Sequence, residues 1–310
     1  MACFGGEIIA LSKRLLVVGG TGFVGGHIAQ MAHETGWSVV IAGASVVPAA
    51  GEIMRRSVDI GDAMAVHALM QEVRPDVLIN TAALADVDRA ERERDRARRV
   101  NADGASNLAH SCRAAGIRCV YYSTDVVFDG LQDAYREEDP PRPLNFYGAS
   151  KAEGERRTLE ACPDSAVVRV SLVLGFPVEG GNSFLARLRE RLLAGQQVPA
   201  PADEIRTPID VLTAAAATLE LAESDYRGIL HLGATSAVDR YTLAQRLARA
   251  MGLRTDLILS EASYPMNDPN FVRAPRHKRG VLDVSRARQM LRTPMLDLDE
   301  TIERALETLP

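Results

Sequence analysis

A tyrosine and a lysine stand four residues apart in the stretch LNFYGASKAEGE, residues 144–155. The stretch has a helical pattern, which places Tyr147 and Lys151 on one face. Lys13 and Lys278 are the only other lysines in a chain rich in arginine. An ammonium beside a phenol lowers the pKa of the phenol from about 10, and it can also bind a ribose hydroxyl. The pair predicts acid–base catalysis, although Tyr-x-x-x-Lys also occurs by accident.

A hydroxyl-bearing strand end lies just upstream, in the segment CVYYSTDVVFDG. The apolar run ends in Ser123, Thr124 and Asp125. In parallel sheets, ligands bind at the carboxyl ends of the strands. A hydroxyl there could orient a substrate carbonyl towards Tyr147.

A glycine-rich turn joins a strand to a helix in the segment RLLVVGGTGFVGGHIA. Gly19, Gly22 and Gly25 have the spacing G-x-x-G-x-x-G, and Gly20 with the last two also fits G-x-G-x-x-G. Glycines permit a tight turn, a close approach of the backbone to a pyrophosphate and close packing of helix on strand. The position of the turn between a buried strand and an amphipathic helix predicts a dinucleotide site.

The choice of dinucleotide depends on the end of the second strand. The segment SVVIAGAS, residues 38–45, offers no carboxylate for the adenosine ribose of NAD. NADP(H) is therefore favoured, and NAD(H) stays possible. Ser45 could contact a 2′-phosphate that Arg55 or Arg56 pairs with. Asp59 could reach the adenine amino group or could cap the following helix.

Composition excludes several classes of protein. The 310 residues are 46% hydrophobic and 25% charged, with a formal net charge of −5 and a pI of about 5.8, which argues against nucleic-acid and anionic-membrane partners. The four cysteines form no C-x-x-C pair, and the first residues lack a secretory signal, so we expect a cytoplasmic location. The apolar runs are too short for a membrane helix, and the six scattered histidines predict no metal site.

Short β-branched runs alternate with amphipathic helical runs through the first half of the chain. This pattern predicts an α/β fold with a Rossmann doubly wound parallel sheet. We assign residues 1–170 to an NAD(P)-binding domain and residues 171–310 mainly to a smaller mixed C-terminal substrate-binding region. Segments of the latter, at about 205–235, are expected to return to the Rossmann sheet.

The ordered set GGTGFVGGHIA, DVLINTAALADVDRAE, RRVNADGASNLA, YYSTDVVFDG, PLNFYGASKAEGE and VLDVSRARQML resembles the extended short-chain dehydrogenase/reductases. The resemblance is strongest to the dTDP-4-dehydrorhamnose reductase-like branch. It is dense up to about Gly175, thin from there to about Pro269, and returns at APRHKRGVLDVSRA.

This resemblance implies a catalytic triad of Thr124, Tyr147 and Lys151, with Asn101 supporting the lysine through a water molecule. It also implies a cofactor site that includes Tyr147 and Lys151. The other cofactor-binding candidates are Gly19, Thr21, Gly22, Phe23, Val24, Gly25, Ser45, Asp59, Ile60, Ala82 and Ala83.

The implied reaction is reduction of the C4 ketone of a nucleotide-activated 4-keto-6-deoxy sugar, with Tyr147 as the proton donor. Candidate substrate contacts are Asp125, Asn182, Arg206, Arg273 and Arg276, the arginines because guanidinium groups bind phosphate oxygens in pairs.

Several alternatives stay open. Val126 follows Asp125 where the related dehydratases carry glutamate, which makes dehydration unfavourable, whereas an epimerase would keep the same triad. Ala85 and Leu172 depart from the branch near the pocket and leave room for another carbonyl substrate. A regulatory partner of methionine adenosyltransferase resembles these reductases, so a non-catalytic NADP-binding subunit is a further alternative. The helices that begin near Asn101 and Tyr147 could form a homodimer.

Overall fold

The computed structural model describes residues 12–44, 52–262 and 274–310. Ser45 and Arg273 therefore lie outside the described residues. The described residues form fourteen strands: β1 (Arg14–Val18), β2 (Ser38–Gly43), β3 (Met54–Ser57), β4 (Val77–Asn80), β5 (Arg118–Thr124), β6 (Ala166–Val170), β7 (Val173–Leu174), β8 (Val198–Pro201), β9 (Ile205–Arg206), β10 (Ile209–Asp210), β11 (Gly228–Leu232), β12 (Val238–Asp239), β13 (Ile258–Glu261) and β14 (Arg279–Gly280).

The same residues form eleven α-helices: α1 (Phe23–Glu34), α2 (Ala63–Val73), α3 (Val87–Arg92), α4 (Arg94–Arg98), α5 (Gly104–Ala115), α6 (Phe146–Ala161), α7 (Phe184–Leu193), α8 (Val211–Glu223), α9 (Arg240–Ala250), α10 (Ser285–Met290) and α11 (Leu298–Leu306). A single π-helical turn, Arg99–Asp103, joins α4 to α5. Short 3₁₀ turns cover Asp125–Val127 and Thr255–Leu257.

Seven parallel strands form the main sheet in the order β11-β6-β5-β4-β1-β2-β3. Successive residues of β1 pack into two different cores: Leu15 and Val17 into one, Leu16 and Val18 into the other. Because both faces are covered, the strands are continuously apolar instead of alternating. The predicted α/β class with a Rossmann sheet is confirmed.

The C-terminal part of the chain builds three small sheets, β10-β7, β12-β9-β14 and β13-β8. A separate apolar core joins them to the helices around them, and it includes Leu188 of α7, Leu247 of α9 and Ile302 of α11. Strand β11 leaves this region and pairs with β6 at the edge of the main sheet. The two parts of the chain therefore share one sheet.

The order of strands reverses between β1 and β4, which are neighbours in the sheet although β2 and β3 lie between them in sequence. Such a switch point opens a crevice at the carboxyl ends of the strands. Within the described ranges, no helix is long and apolar enough to cross a membrane.

Candidate active site

A cleft of about 770 Å³ opens at the carboxyl ends of β1, β4, β5 and β6. One side is formed by the glycine-rich turn and the start of α1, and the other by side chains of the C-terminal region. Thr124, Tyr147 and Lys151 lie along the same cleft. The fold thus brings the predicted phosphate cradle and the predicted acid–base residues to one site.

The glycines of the turn are needed because neighbouring backbone is very close. Gly19 has a φ of +84°, and a Cβ there would lie 2.6 Å from the amide nitrogen of Ala82. A Cβ on Gly25 would lie 2.4 Å from the carbonyl oxygen of Gly19 and 2.5 Å from Oγ1 of Thr81. Side chains at these positions would push α1 away from the strands, so the cradle depends on glycine.

The N-terminus of α1 faces the cleft with free backbone donors. Gly22 is the N-cap, and among the described residues no side chain caps this helix end. The first turn carries no acidic residue. Apart from the N–H of Gly22, which donates to the carbonyl of Gly19, the N–H groups of the first turn and the positive end of the helix dipole favour an anion. The residues present therefore fit the pyrophosphate of a dinucleotide.

Tyr147 and Lys151 project from the first turns of α6, which is anchored beside the end of β5. The N-cap Asn145 accepts a 2.9 Å hydrogen bond from the amide of Gly148. A Cβ on Gly148 would lie 2.2 Å from the carbonyl oxygen of Val126, so only glycine allows this approach. The close packing brings the phenol of Tyr147 next to the hydroxyl of Thr124.

Burial raises the pKa of the Tyr147 phenol well above its ordinary value. The negative charge of Asp125 raises it further, and the hydrogen bond with Thr124 opposes these effects. The net pKa of this phenol is therefore raised, opposite to the lowering predicted from the spacing of the lysine. Desolvation is the largest cause, and the Lys151 ammonium donates to the carbonyl of Tyr122. Tyr147 is held protonated, as a proton donor must be.

Lys151 is almost fully buried. Its Nζ donates a 2.6 Å hydrogen bond to the carbonyl oxygen of Tyr122 and lies 4.1 Å from the centre of the Tyr121 ring. Burial lowers the pKa of Lys151 to about 7, and the negative charge of Glu155 opposes the shift. The lysine is therefore partly uncharged near neutral pH.

Glu155 belongs to a buried ion pair below the lysine. Its carboxylate accepts hydrogen bonds of 2.9 and 2.6 Å from Nε and Nη2 of Arg169. The Arg169 guanidinium lies over the ring of Phe128, 4.9 Å from its centre. This pair fixes a negative charge one helical turn away from Lys151.

Asn101 lies at the centre of the π-helical turn and is fully buried. Its amide donates a 2.9 Å hydrogen bond to Oγ of Ser150, and its Oδ1 accepts one of 2.8 Å from the amide of Leu84. Its main-chain carbonyl accepts a 2.9 Å hydrogen bond from Tyr121, the ring over which Lys151 lies. Asn101 thus supports the lysine's surroundings, and π turns are frequent at functional sites.

The substrate side of the cleft carries a concentration of guanidinium groups: Arg187, Arg206, Arg240 and Arg276 all line it. Burial lowers the pKa of Arg240, and repulsion from Arg206 and Arg187 adds to this effect while Glu204 opposes it. Nε of Arg240 is buried without a hydrogen-bond partner among the described residues. This wall of the cleft is suited to an anionic ligand.

Thirteen of the predicted site residues line the cleft: Gly19, Gly22, Phe23, Val24, Gly25, Ala83, Thr124, Asp125, Tyr147, Lys151, Asn182, Arg206 and Arg276. Thr21, Ile60, Ala82 and Asn101 are not among its lining residues. Asp59, likewise outside the lining, forms a 2.6 Å ion pair with Arg99. The helix-capping alternative for Asp59 is wrong, since Asp62 caps α2.

The two arginines near the end of β2 both have carboxylate partners. Arg55 and Arg56 lie on β3, in register with Ile41 and Ala42. Both Oε atoms of Glu179 accept hydrogen bonds from Arg55. Arg56 forms a 2.6 Å ion pair with Glu72.

The cleft also contains residues that sequence reasoning missed, among them Ser171, Arg187, Arg240 and His277. The first three belong to no recognisable motif, whereas His277 lies in the APRHKRG segment that carries part of the resemblance. Ser171 could have been predicted from its position immediately after β6, because ligands bind at the carboxyl ends of parallel strands. In the described ranges, no group of His, Cys, Asp and Glu side chains is arranged to hold a metal ion.

Comparison with protein families matches residues 13–310 to the RmlD substrate binding domain. The probable low-salt glycan biosynthesis reductase Agl14 of Haloferax volcanii is 34% identical over 87% of this chain and 89% of its own length. The dTDP-4-dehydrorhamnose reductase of Mycolicibacterium smegmatis is 31% identical over 96% and 86%. Methionine adenosyltransferase 2 subunit beta of Bos taurus is 29% identical over 90% and 83%.

Among solved structures, the chain is similar to a dTDP-4-dehydrorhamnose reductase from Bacillus anthracis in complex with NADP. The TM-score is 0.84 and the identity 26%, with 96% of this chain and 99% of the other covered. The likeness extends across both the main sheet and the C-terminal region.

Proposed function

We propose, from the premise that the chain belongs to the family of the RmlD substrate binding domain, that it reduces the C4 ketone of a nucleotide-activated 4-keto-6-deoxy sugar. The family is one of NAD(P)-dependent nucleotide-sugar reductases. The observation that carries the proposal is that Thr124, Tyr147 and Lys151 line one cleft with the glycine-rich cradle.

The cradle and the triad support complementary roles. When bound, NAD(P)H supplies the hydride; Gly19, Gly22 and Gly25 would hold its pyrophosphate. Tyr147 is kept protonated by burial and by the charge of Asp125. Its proton can therefore be given to the oxygen of a ketone as that oxygen gains negative charge.

Lys151 would stabilise the tyrosinate that remains after proton transfer. A buried anion needs a nearby cation, and the lysine can gain a proton near neutral pH because its pKa is about 7. Thr124 would bind the same ketone oxygen as Tyr147 and orient it.

The arginines of the substrate wall favour a phosphorylated sugar over a small neutral ketone. The side chain of Arg187 has no hydrogen-bond or ion-pair partner in the described part of the chain, and Arg240 keeps a buried Nε without a hydrogen-bond partner there. Two neighbouring cations that repel each other on this wall are stabilised by a diphosphate that binds both. NADP(H) is the favoured cofactor, since β2 ends at Gly43 without a carboxylate.

The decisive experiment mixes the purified protein with NADPH and dTDP-4-keto-6-deoxy-L-lyxo-hexulose, then repeats the assay with NADH. We expect loss of NADPH absorbance, reduced about 10³-fold or more in Tyr147→Phe while NADPH still binds. Absence of oxidation in the wild-type protein, with tight NADPH binding, would contradict the proposed substrate.

A second candidate function is that of a non-catalytic, NADP-binding subunit, which the similarity to a methionine adenosyltransferase subunit favours. A pure binding protein has no need of a buried tyrosine aligned with a lysine. If the wild-type chain reduces any carbonyl substrate and Tyr147→Phe does not, the protein is an enzyme and not a non-catalytic subunit.

A further inference from the structure

The carboxylate of Asp125 lies next to the triad and accepts four hydrogen bonds or ion pairs. Oδ1 accepts from the hydroxyl of Thr124 at 3.1 Å. Oδ2 accepts from Oγ of Ser171 at 2.8 Å and from Nε2 of His277 at 3.1 Å, and it lies 3.4 Å from Nε of Arg206. The Asp125 and His277 side chains are only 4% and 1% exposed, so water does not compete for these contacts.

The protons in this cluster can be assigned. Burial alone would raise the pKa of Asp125, but His277 and Arg206 hold it below its ordinary value, so the carboxylate is ionised. An ionised carboxylate only accepts hydrogen bonds. Nε2 of His277 therefore carries a hydrogen and donates it to Asp125.

The hydrogen-bond partners of the Thr124 hydroxyl can be assigned in the same way. A hydroxyl has one hydrogen and two acceptor sites. Its hydrogen goes to Asp125, and one acceptor site receives the amide of Val126 at 3.2 Å. Thr124 can donate to a ketone oxygen only if the hydrogen bond from its hydroxyl to Asp125 is broken.

His277 is placed by close packing of neighbouring glycines. A Cβ on Gly280 would lie 2.0 Å from Oδ2 of Asp125 and 2.4 Å from Nε2 of His277. Gly130, with a φ of +77°, would bring a Cβ to 2.8 Å from Cβ of His277. Nη2 of Arg206 also donates to the main-chain carbonyl of His277 at 3.0 Å. The imidazole is therefore fixed against the carboxylate.

We propose that His277 is a positioning residue for the reductase reaction. By donating to Oδ2, it shares the charge of Asp125 and weakens the hold of Oδ1 on the Thr124 hydrogen. The ketone oxygen can then take that hydrogen when the substrate binds. The predicted effect on kcat rests on the proposed function. The placement of His277 rests only on its contact with Asp125.

The kinetic test compares two substitutions at one position. His277→Leu removes the N–H donor, and His277→Gln retains an N–H donor at a similar reach. We expect kcat to fall about 10–100-fold in the leucine variant, because a hydrogen bond to a buried charge is lost. The glutamine variant should recover to within about 3-fold of wild type. NADPH affinity should be unchanged in both.

Equal loss of kcat in the two variants would overturn the inference, because a structural role would not distinguish them by donor. An unchanged kcat in His277→Leu would overturn it as well. Thermal unfolding of each variant is measured in parallel, so that a destabilised fold is recognised and the comparison is made at a temperature where both are folded.

A measurement that does not depend on turnover separates this inference from the proposed function. Proton NMR of the protein without substrate should show a low-field imidazole N–H resonance, absent in His277→Gln and moved upfield in Asp125→Asn, since a neutral acceptor binds more weakly. Finding no such resonance would overturn the inference. A wild-type protein that reduces no sugar but shows the resonance would instead contradict the proposed function.

Discussion

The two walls of the cleft are built by different means. The cofactor wall, residues 19–25 together with the ends of β1 and β4, is formed of backbone and small residues in one short segment. The substrate wall includes the side chains of Arg187, Arg206, Arg240, Arg276 and His277, which come from four separate segments. Shape and backbone N–H groups fit the first wall to its ligand, whereas charged side chains placed by tertiary contacts define the second.

This difference explains how one scaffold can keep its cofactor while its substrate changes. A glycine cradle tolerates almost no substitution, because a single Cβ meets backbone atoms. Arg187, which has no side-chain partner among the described residues, can be exchanged without breaking an ion pair, whereas Arg206 is buried and paired with Asp125. The triad, between the two walls, serves whichever ketone the second wall admits.

The largest expected effect comes from filling the cofactor wall. Gly25→Ala places a Cβ 2.4 Å from the carbonyl oxygen of Gly19, so we expect NADPH affinity to fall at least about 100-fold in a fluorescence titration. Gly26→Ala is the matched control, since its Cβ would have its nearest contact at 3.5 Å. Similar affinities in the two variants would show that the close approach does not determine cofactor binding.

Burial of Lys151, which lies between the two walls, should lower the stability of the folded protein in a way that depends on pH. Its pKa is lowered from 10.5 to about 7, so the unfolded chain holds more protons between these pH values and stability rises with pH across that window. Lys151→Met removes this dependence. We expect the variant to be more stable by roughly 2–4 kcal/mol at pH 7 and below.

The stability gap should close as the pH approaches 10. Urea unfolding of both proteins at a series of pH values measures it, and Lys13→Met, at an exposed lysine, is the control. A gap that is constant with pH would contradict the lowered pKa of Lys151.

Changing the substrate wall should affect the sugar and spare the cofactor. Arg187→Gln removes a cation that has no partner among the described residues, and we expect the KM for the nucleotide sugar to rise about 10-fold with kcat little changed. Arg189→Gln, on the same helix but outside the cleft lining, is the control. A rise in the KM for NADPH instead would place Arg187 on the other wall.

The smallest effect is expected at Arg55, a predicted phosphate-binding residue that already forms an ion pair with the carboxylate of Glu179. Glu179→Gln leaves Arg55 without its ion-pair partner, so we expect NADPH affinity to rise about 3-fold and NADH affinity to stay constant. Arg55→Gln should lower NADPH affinity by a similar factor. Equal changes for both cofactors would exclude a role for Arg55 at the 2′-phosphate.

Much of the cofactor wall could be predicted from the sequence because its determinants are local. The G-x-x-G-x-x-G spacing, the apolar strand and the amphipathic helix lie within about twenty residues, and their geometry follows from the glycines. The alternation of strands and helices likewise predicts the main sheet, since each unit buries its own apolar face.

The substrate wall could not be predicted in the same way. The contact between Asp125 and His277 joins residues 152 positions apart, and no local pattern specifies it. The direction of the pKa shift of Tyr147 also could not be predicted from the spacing of the tyrosine and the lysine. Sequence places the lysine one turn away, but only the structure shows that its ammonium is directed to the carbonyl of Tyr122 and that burial dominates the phenol.

The position of β11 at the edge of the main sheet has a consequence for biosynthesis. Ribosomes release chains at about 5–20 residues per second, and N-terminal parts begin to fold first. The backbone edge of β6 stays uncovered until Leu232 has emerged, roughly sixty residues after the end of β6. The nascent chain thus presents an apolar strand edge for several seconds, the interval in which edge-to-edge aggregation or a chaperone would compete for it.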